Sequence, residues 1–246
     1  MRPPVLDLGC GDGLFASIFY ERPAAVGLDP DRRALGHARP HYRSIVNGDA
    51  AAMPFRNGAF GTVLSNSVLE HVTNVAGVLQ EARRVLDPDG RLVITVPTPA
   101  YQHGLLYSRL LRAVGLPWAA RAYERFVNRV FHHRTVLSVA GWVAAVEAAG
   151  FSVETTRGYL SPFVIALNDA LYPSAAVARL MGSRRDGYFL LHPVRLSTAP
   201  LLATVLRGVY RGGERGEGYV LVVARPSDSR RPASAVREED HESREA

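Results

Sequence analysis

Short apolar runs alternating with helical patterns over the first hundred residues predict an α/β fold built on a mostly parallel sheet. Two further features support it. A glycine cluster, Gly9, Gly11 and Gly13, follows the first apolar run, and the acids Asp7, Asp29 and Asp49 stand near the ends of three successive strands, on one edge of the sheet. Open α/β sheets bind their ligands at that edge.

The elements follow in order. Pro4 to Leu8 reads as a buried strand entering the glycine loop, and Leu14 to Tyr20 as a helix. Ala25 to Asp29 is the second strand, Asp31 to Ala38 the second helix, and Tyr42 to Val46 the third strand. Phe60 to Ser65 is the fourth. From Asn74, a plausible N-cap, Val75, Val78, Leu79, Ala82, Val85 and Leu86 keep helical spacing until Pro88 and Gly90 stop it. Arg91 to Val96 is the fifth strand, closed by Pro97.

Beyond Pro97 the rhythm breaks. Residues 100–134 read as irregular helix, and Ser138 caps a helix from Val139 to Ala149 that Gly150 ends. Phe151 to Leu160 is a sixth strand and Tyr219 to Ala224 a seventh. The predicted organisation is a cofactor-binding half over 1–100, the rest of the domain over 101–226 with helical insertions at 97–134 and 161–217, and a disordered tail over 227–246.

The 246 residues hold 29 basic side chains, all arginine, against 23 acids, a net charge of +6. The abundance of Arg, Ala and Gly fits a high-GC bacterial gene. Residues 1–100 carry 10 Arg and 10 acids, 101–217 carry 14 and 7, and 218–246 carry 5 and 6, so the excess lies in the middle segment. A neutral first hundred residues argues against a protein that coats nucleic acid. The 47% hydrophobic share excludes wholesale disorder. The single cysteine, Cys10, excludes an internal disulfide, and with no signal peptide or membrane-spanning run the expected place is the cytoplasm.

A glycine loop after a first strand lets a cofactor's polar group approach the backbone closely. A dinucleotide and S-adenosylmethionine are the two candidates. The dinucleotide fingerprint G-x-G-x-x-G places Leu14 at its third glycine, where a large side chain would obstruct helix and strand packing. The loop here is D-L-G-C-G-D-G instead.

That loop resembles the first motif of the class I S-adenosylmethionine-dependent methyltransferases, and the likeness runs over residues 4–100. V-G-L-D-P-D resembles their second motif and N-G-D-A-A-A-M-P-F their adenine-contact motif. A-F-G-T-V-L-S-N-S-V-L-E-H-V and V-L-D-P-D-G-R-L-V-I-T-V-P resemble the fourth- and fifth-strand motifs. The resemblance implies a Rossmann-like seven-stranded sheet in the order 3-2-1-4-5-7-6. The helices that family members usually carry before the first motif are expected to be missing, so either the start codon is placed too late or the cofactor crevice is more open than usual.

It also implies a role for each residue. Backbone groups of Gly9, Cys10 and Gly11 would hold the methionine moiety, with Asp7 fixing its ammonium directly or through water. Asp29 would accept from the ribose hydroxyls. Asp49 would receive the adenine amino group and the Ala50 amide would donate to the ring. Pro30 and Met53 would supply apolar faces, and Asn66 would sit at the methionine end. Asp12 and Asp31 read as turn formers or caps, and Cys10 packs rather than reacts.

For catalysis, placement does most of the work, with a base needed if an alcohol must lose a proton. His71 is the nearest candidate, and His133 or His132 an alternative. Glu70-His71 resembles the E-x-x-E-H pattern with which ubiquinone-pathway O-methyltransferases can hold a metal, but Ser67 replaces the first acid, so no metal is expected.

The insertions should choose the acceptor. The first carries Tyr101, His103, Tyr107, Trp118, Tyr123 and Phe126; the second carries Phe163, Tyr172, Tyr188, Phe189 and Tyr210 with Arg184, Arg185, Arg195, Arg207 and Arg211. This points to a small-molecule or lipid-linked acceptor, such as a polyketide-like compound, methylated at oxygen, and not to nucleic acid. The stretch 161–217 is also compatible with peripheral contact to a membrane. A non-catalytic cofactor-binding module and a dinucleotide-dependent oxidoreductase are the competing readings.

Overall fold

Val5–Leu8 (β1) is an interior strand of the sheet, and all four of its residues are buried, alternating between the two faces. The structure, a computed structural model, describes residues 1–20, 25–170 and 216–227. Ala25–Asp29 (β2) and Ser44–Asn47 (β3) add in parallel on one side of β1. Phe60–Asn66 (β4) and Leu86–Pro97 (β5) add in parallel on the other. Tyr219–Pro226 (β7) then pairs antiparallel with both β5 and Phe151–Tyr159 (β6). The order 3-2-1-4-5-7-6 is the one expected, and the single antiparallel strand makes the sheet mixed.

Leu14–Phe19 (α1) and Arg32–Ala38 (α2) cover the face that carries Val5, with Ala16, Ala25, Leu35, Ala38 and Tyr42 between them. Val75–Val85 (α3) and Val139–Ala148 (α7) cover the other, burying Val78, Leu79, Ala82, Val85, Trp142 and Val146 against Leu6, Val63, Leu92 and Ile94. Each fully buried Leu or Val of this kind is worth about 1.5–3 kcal/mol. The expected caps are present: Asn74 accepts from the Gly77 amide at 2.9 Å and Ser138 from Gly141 at 3.1 Å.

Pro99–Gly104 (α4), Leu106–Ala113 (α5) and Pro117–Val130 (α6) form the first insertion, and residues 162–170 are helical. They share a separate small core of Tyr101, Leu105, Val127 and Ile165. Most of the second insertion, including Tyr172 and the arginines and aromatics from Arg184 to Arg211, lies outside the described residues, as does the tail from 228. Among the described residues no helix is long and apolar enough to cross a membrane.

Three local expectations are corrected. The helix α3 ends at Val85 rather than at Pro88, because Leu86 turns extended, is 2% exposed in the core and pairs with Phe60 across an irregularity. The third strand starts two residues late, because Tyr42 is turned inward beneath β1. Leu14 does not meet the sheet: it is 65% exposed, and Gly13 occupies the packed position, where a Cβ would lie 2.9 Å from the Ala38 Cα.

Candidate active site

The glycine loop is tied down through its amides. Gly9 and Cys10 donate to the Leu28 carbonyl at 2.8 and 3.2 Å, and Gly11 donates to Asp29 Oδ2 at 2.9 Å. The three N–H groups are thus engaged inside the protein, and the loop can offer a ligand carbonyl oxygens and bare Cα surface. Gly9 and Gly11 both have positive φ, at 66° and 53°. A Cβ on Gly9 would strike Val68 at 2.4 Å, so the segment after β4 lies against the loop; a Cβ on Gly11 would meet nothing within 4 Å. Gly11 therefore faces a cradle open to a ligand.

Asp29 ends β2 with Oδ1 accepting the Asp31 amide at 2.8 Å while Oδ2 holds Gly11. One half-buried carboxylate thus joins the loop to the start of α2. Asp31 caps α2 and Asp12 accepts from Leu14, the roles expected of them. Pro30 is exposed at the rim, and its carbonyl accepts from Asn47 Nδ2 at 2.8 Å.

Asp49 is exposed and Oδ1 accepts the Ala51 amide at 2.9 Å, which fixes the turn that presents Ala50. Arg84 holds the following loop from below, donating to the Met53 and Phe55 carbonyls at 2.9 and 2.7 Å. Its pairing keeps Glu81 below the usual carboxylate range, so Glu81 stays ionised to accept the Met53 amide. Met53 itself is 4% exposed in the main core, so it stiffens this loop from within instead of lining the crevice.

Asp7 departs furthest from expectation. It is 3% exposed and accepts the Tyr42 hydroxyl at 2.6 Å, beneath the loop rather than in the crevice. Burial pushes its pKa up to about 6, against the lowering effect of that hydrogen bond. Because the folded value lies above the unfolded 3.8, the folded chain holds this proton more tightly, and stability falls as pH rises from about 4 to about 6. Two units correspond to about 3 kcal/mol. Thermal melts across this window are expected to show the loss, and Asp7→Asn to make it shallower, leaving the share that Glu70, also raised by burial to about 7, contributes at the upper end; an unchanged slope in the variant would place the titration elsewhere. Burial likewise pushes the Cys10 thiol up to about 12, which fits an inert packing residue.

The segment after β4 forms the opposite wall. Asn66 is the last residue of β4, with Oδ1 accepting from Thr95 Oγ1 at 2.6 Å, and Ser67 adopts φ 54°. Tyr219 at the start of β7 hydrogen-bonds the Ser67 side chain. Tyr101 packs edge-on against Tyr219, centroids 5.7 Å apart, and against His133 at 6.3 Å. His71 is exposed and lies 5.6 Å from His133, so the structure brings both sequence candidates together.

His133 is the more enclosed of the two rings. Its Nδ1 lies 3.4 Å from Asn128 Oδ1, which also accepts from Gln102 Nε2 at 3.2 Å. An acceptor there assigns the proton to Nδ1 and leaves the Nε2 lone pair free. Burial, then the neighbouring His71, lowers its pKa to about 4, so the ring is neutral near pH 7. Glu70, the residue before His71, is fully buried.

Beyond Tyr101 opens a groove of about 560 Å³ between α4, α5 and α6, lined by Leu105, Tyr107, Leu110, Tyr123, Phe126, Val127 and neighbouring apolar side chains. Its one acid, Asp169, is 3% exposed and is held by the Tyr107 amide and the Tyr123 hydroxyl. Four of the aromatics singled out in the sequence meet here. Trp118 and His103 do not; both are exposed elsewhere.

A family model described as a methyltransferase domain matches residues 6–94. Over that segment, about a third of the chain, the protein is similar to methyltransferase domains. The chain is 26% identical over 176 residues to a probable S-adenosylmethionine-dependent methyltransferase of Mycolicibacterium smegmatis, covering 70% of this chain and 61% of that protein. It is 33% identical over 103 residues to a malonyl-[acyl-carrier protein] O-methyltransferase of Legionella pneumophila, covering 39% of this chain and 36% of that one. The chain therefore spans 61% and 36% of the lengths of these relatives, less than two thirds of either. Among solved structures, geranyl diphosphate C-methyltransferase of Streptomyces coelicolor, determined with S-adenosyl-L-homocysteine, shares the fold at a TM-score of 0.52 and 16% identity, over 90% of this chain and 70% of that one. S-adenosylmethionine is the cofactor to which such a domain is suited, and the Gly11 cradle and the Asp29 carboxylate fit it.

Proposed function

We propose that the chain is an S-adenosylmethionine-dependent methyltransferase that methylates an oxygen of an apolar small-molecule or lipid-linked acceptor. The observation that carries the acceptor class is the groove, which shares Tyr101 with the imidazole wall beside the end of β4. An acceptor lying along α5 and α6 ends its path at the face opposite the glycine loop.

The cofactor supplies an activated methyl on a sulfonium; the chain supplies placement and proton handling. Asp29 accepts from the ribose hydroxyls, Asp49 and Ala50 meet the adenine edge, and carbonyls of Gly9, Cys10 and Gly11 face the methionine end beside Asn66. His133 Nε2 receives the acceptor's proton, with Asn128 fixing its tautomer; His71 holds the outer side of the ring. The exposed side chains of Leu110, Val114, Trp118 and Phe126, interspersed with Arg109, Arg121 and Arg125 on α5 and α6, favour an acceptor collected from an anionic, apolar surface.

The test is transfer of labelled methyl from S-adenosylmethionine into soluble and lipid extracts of source cells. Base-labile or ether-linked label in the organic fraction is the expected outcome. Label confined to the aqueous fraction would sink the lipid-linked acceptor, and cofactor binding without any transfer would leave a binding module.

A further inference from the structure

The hairpin of α5 and α6 gathers most of the apolar surface that the chain leaves in water. Of the ten large apolar side chains exposed among the described residues, six belong to it. Along α6, Trp118, Ala122, Phe126 and Val130 recur at i, i+4 spacing, and all four are exposed. Leu110 and Val114, one turn apart at the end of α5, are exposed as well. These two, with Phe126 and Val130, also line the groove, so they stand at its mouth. The turn between the helices, Val114 to Trp118, is exposed throughout, and Trp118 is 65% exposed. A concentration of apolar side chains of this kind marks an interaction surface.

The charge on the hairpin has one sign. Residues 105–131 hold five arginines and one acid, Glu124. That acid is buried and holds Arg112 at 2.7 Å, so no acid of the hairpin is exposed. Arg121, Arg125 and Arg129 are exposed and follow α6 three or four residues from members of the apolar row, so the two rows run side by side. A protein interface keeps charge out of its apolar centre. An arginine row laid along an apolar row suits a bilayer instead. The apolar side chains enter the acyl boundary, the indole sits at headgroup level, and the guanidinium groups reach lipid phosphates.

We propose that α5, the turn Val114 to Trp118 and α6 dock the chain on an anionic lipid bilayer, with the groove mouth facing the acyl chains. For its acceptor this rests on the function proposed above and deepens it: an apolar acceptor dissolved in the bilayer enters between Leu110 and Phe126 and reaches Tyr101 without crossing water. The membrane contact then belongs to the first insertion and not to the stretch 161–217.

The full chain holds two tryptophans, and Trp142 is fully buried, so Trp118 reports on this face. Vesicles of phosphatidylcholine alone are compared with vesicles one third phosphatidylglycerol, without cofactor, by sedimentation and by tryptophan quenching with lipids brominated on the acyl chain. Binding to the anionic vesicles with a blue shift and quenching of Trp118 is expected, weakening as salt is raised. Each arginine near such a surface contributes about fivefold, so Arg121→Glu combined with Arg125→Glu should weaken sedimentation by about 25-fold or more, and Trp118→Ala by about tenfold. These side chains are exposed and do not line the groove, so circular dichroism of the variants should match that of the unmodified chain. Failure to bind anionic vesicles would overturn the docking, as would equal binding to both vesicle types. Binding with Trp118 unquenched would put the contact on another part of the chain and overturn it as well. A blue shift that grows with protein concentration in the absence of lipid would assign the face to a second copy. Docking without any methyl transfer would bring down the methyltransferase reading and leave this surface assigned.

Discussion

Asp29→Ala is expected to weaken S-adenosylmethionine binding by about 100- to 1000-fold with little change in the sheet. The carboxylate does two things at once. It accepts from the Gly11 and Asp31 amides, which sets the loop against α2, and in the proposed function it also receives the ribose hydroxyls. Hydrogen bonds to a charged group are worth about 1.5–3 kcal/mol each, so losing two at the lower end of that range amounts to about 3–4 kcal/mol of binding. Asp29→Asn keeps one acceptor oxygen for Gly11 and should lose roughly tenfold. Calorimetry with the cofactor and with its demethylated product checks both variants, and circular dichroism checks that the fold survives. The two ligands share the ribose, so both must weaken together. If only one weakens, the diol assignment is wrong.

The place of Asp29 was legible in the sequence: an acid at the end of a strand, one strand from a glycine loop. The same logic failed for Asp7, which also ends its strand region but alternates inward. Its partner Tyr42 follows a short 3₁₀ turn that carries no periodic signal, so nothing in the sequence announced that the carboxyl would be sealed. Spacing also misplaced the start of β5. Pro88 and Gly90 punctuate a turn strongly, yet burial of Leu86 against Phe60 ends α3 sooner. The wall of Tyr101, His133 and Tyr219 assembles residues more than a hundred positions apart, and only β7 inserted between β5 and β6 brings Tyr219 to Ser67. Glu70 was visible as part of an E-H pair, but its isolation is a property of everything packed around it. Local pattern thus reached the cofactor side, built from contiguous strand ends, and reached the acceptor side only as an unassembled set of aromatics.

Trp142→Ala is expected to cost about 4 kcal/mol of stability, a large part of the roughly 5–15 kcal/mol that holds a domain folded. Trp142 is 0% exposed on α7, packed in the main core, and its indole Nε1 donates to the Pro97 carbonyl at 3.0 Å. Alanine leaves both a cavity and a buried carbonyl without its donor. Pro97 matters beyond stability, because β5 ends there and Thr98 caps α4, the helix that carries Tyr101 to the site. Trp142→Phe separates the two effects. It keeps most of the volume and gives up the hydrogen bond, so urea unfolding should show a loss of about 1–2 kcal/mol. In that variant the glycine loop and Asp29, on the far side of β4, keep their anchors, so cofactor affinity should hold while the acceptor's KM rises. A fall in cofactor affinity equal to the rise in KM would mean that Pro97 supports the whole crevice and not the acceptor wall alone.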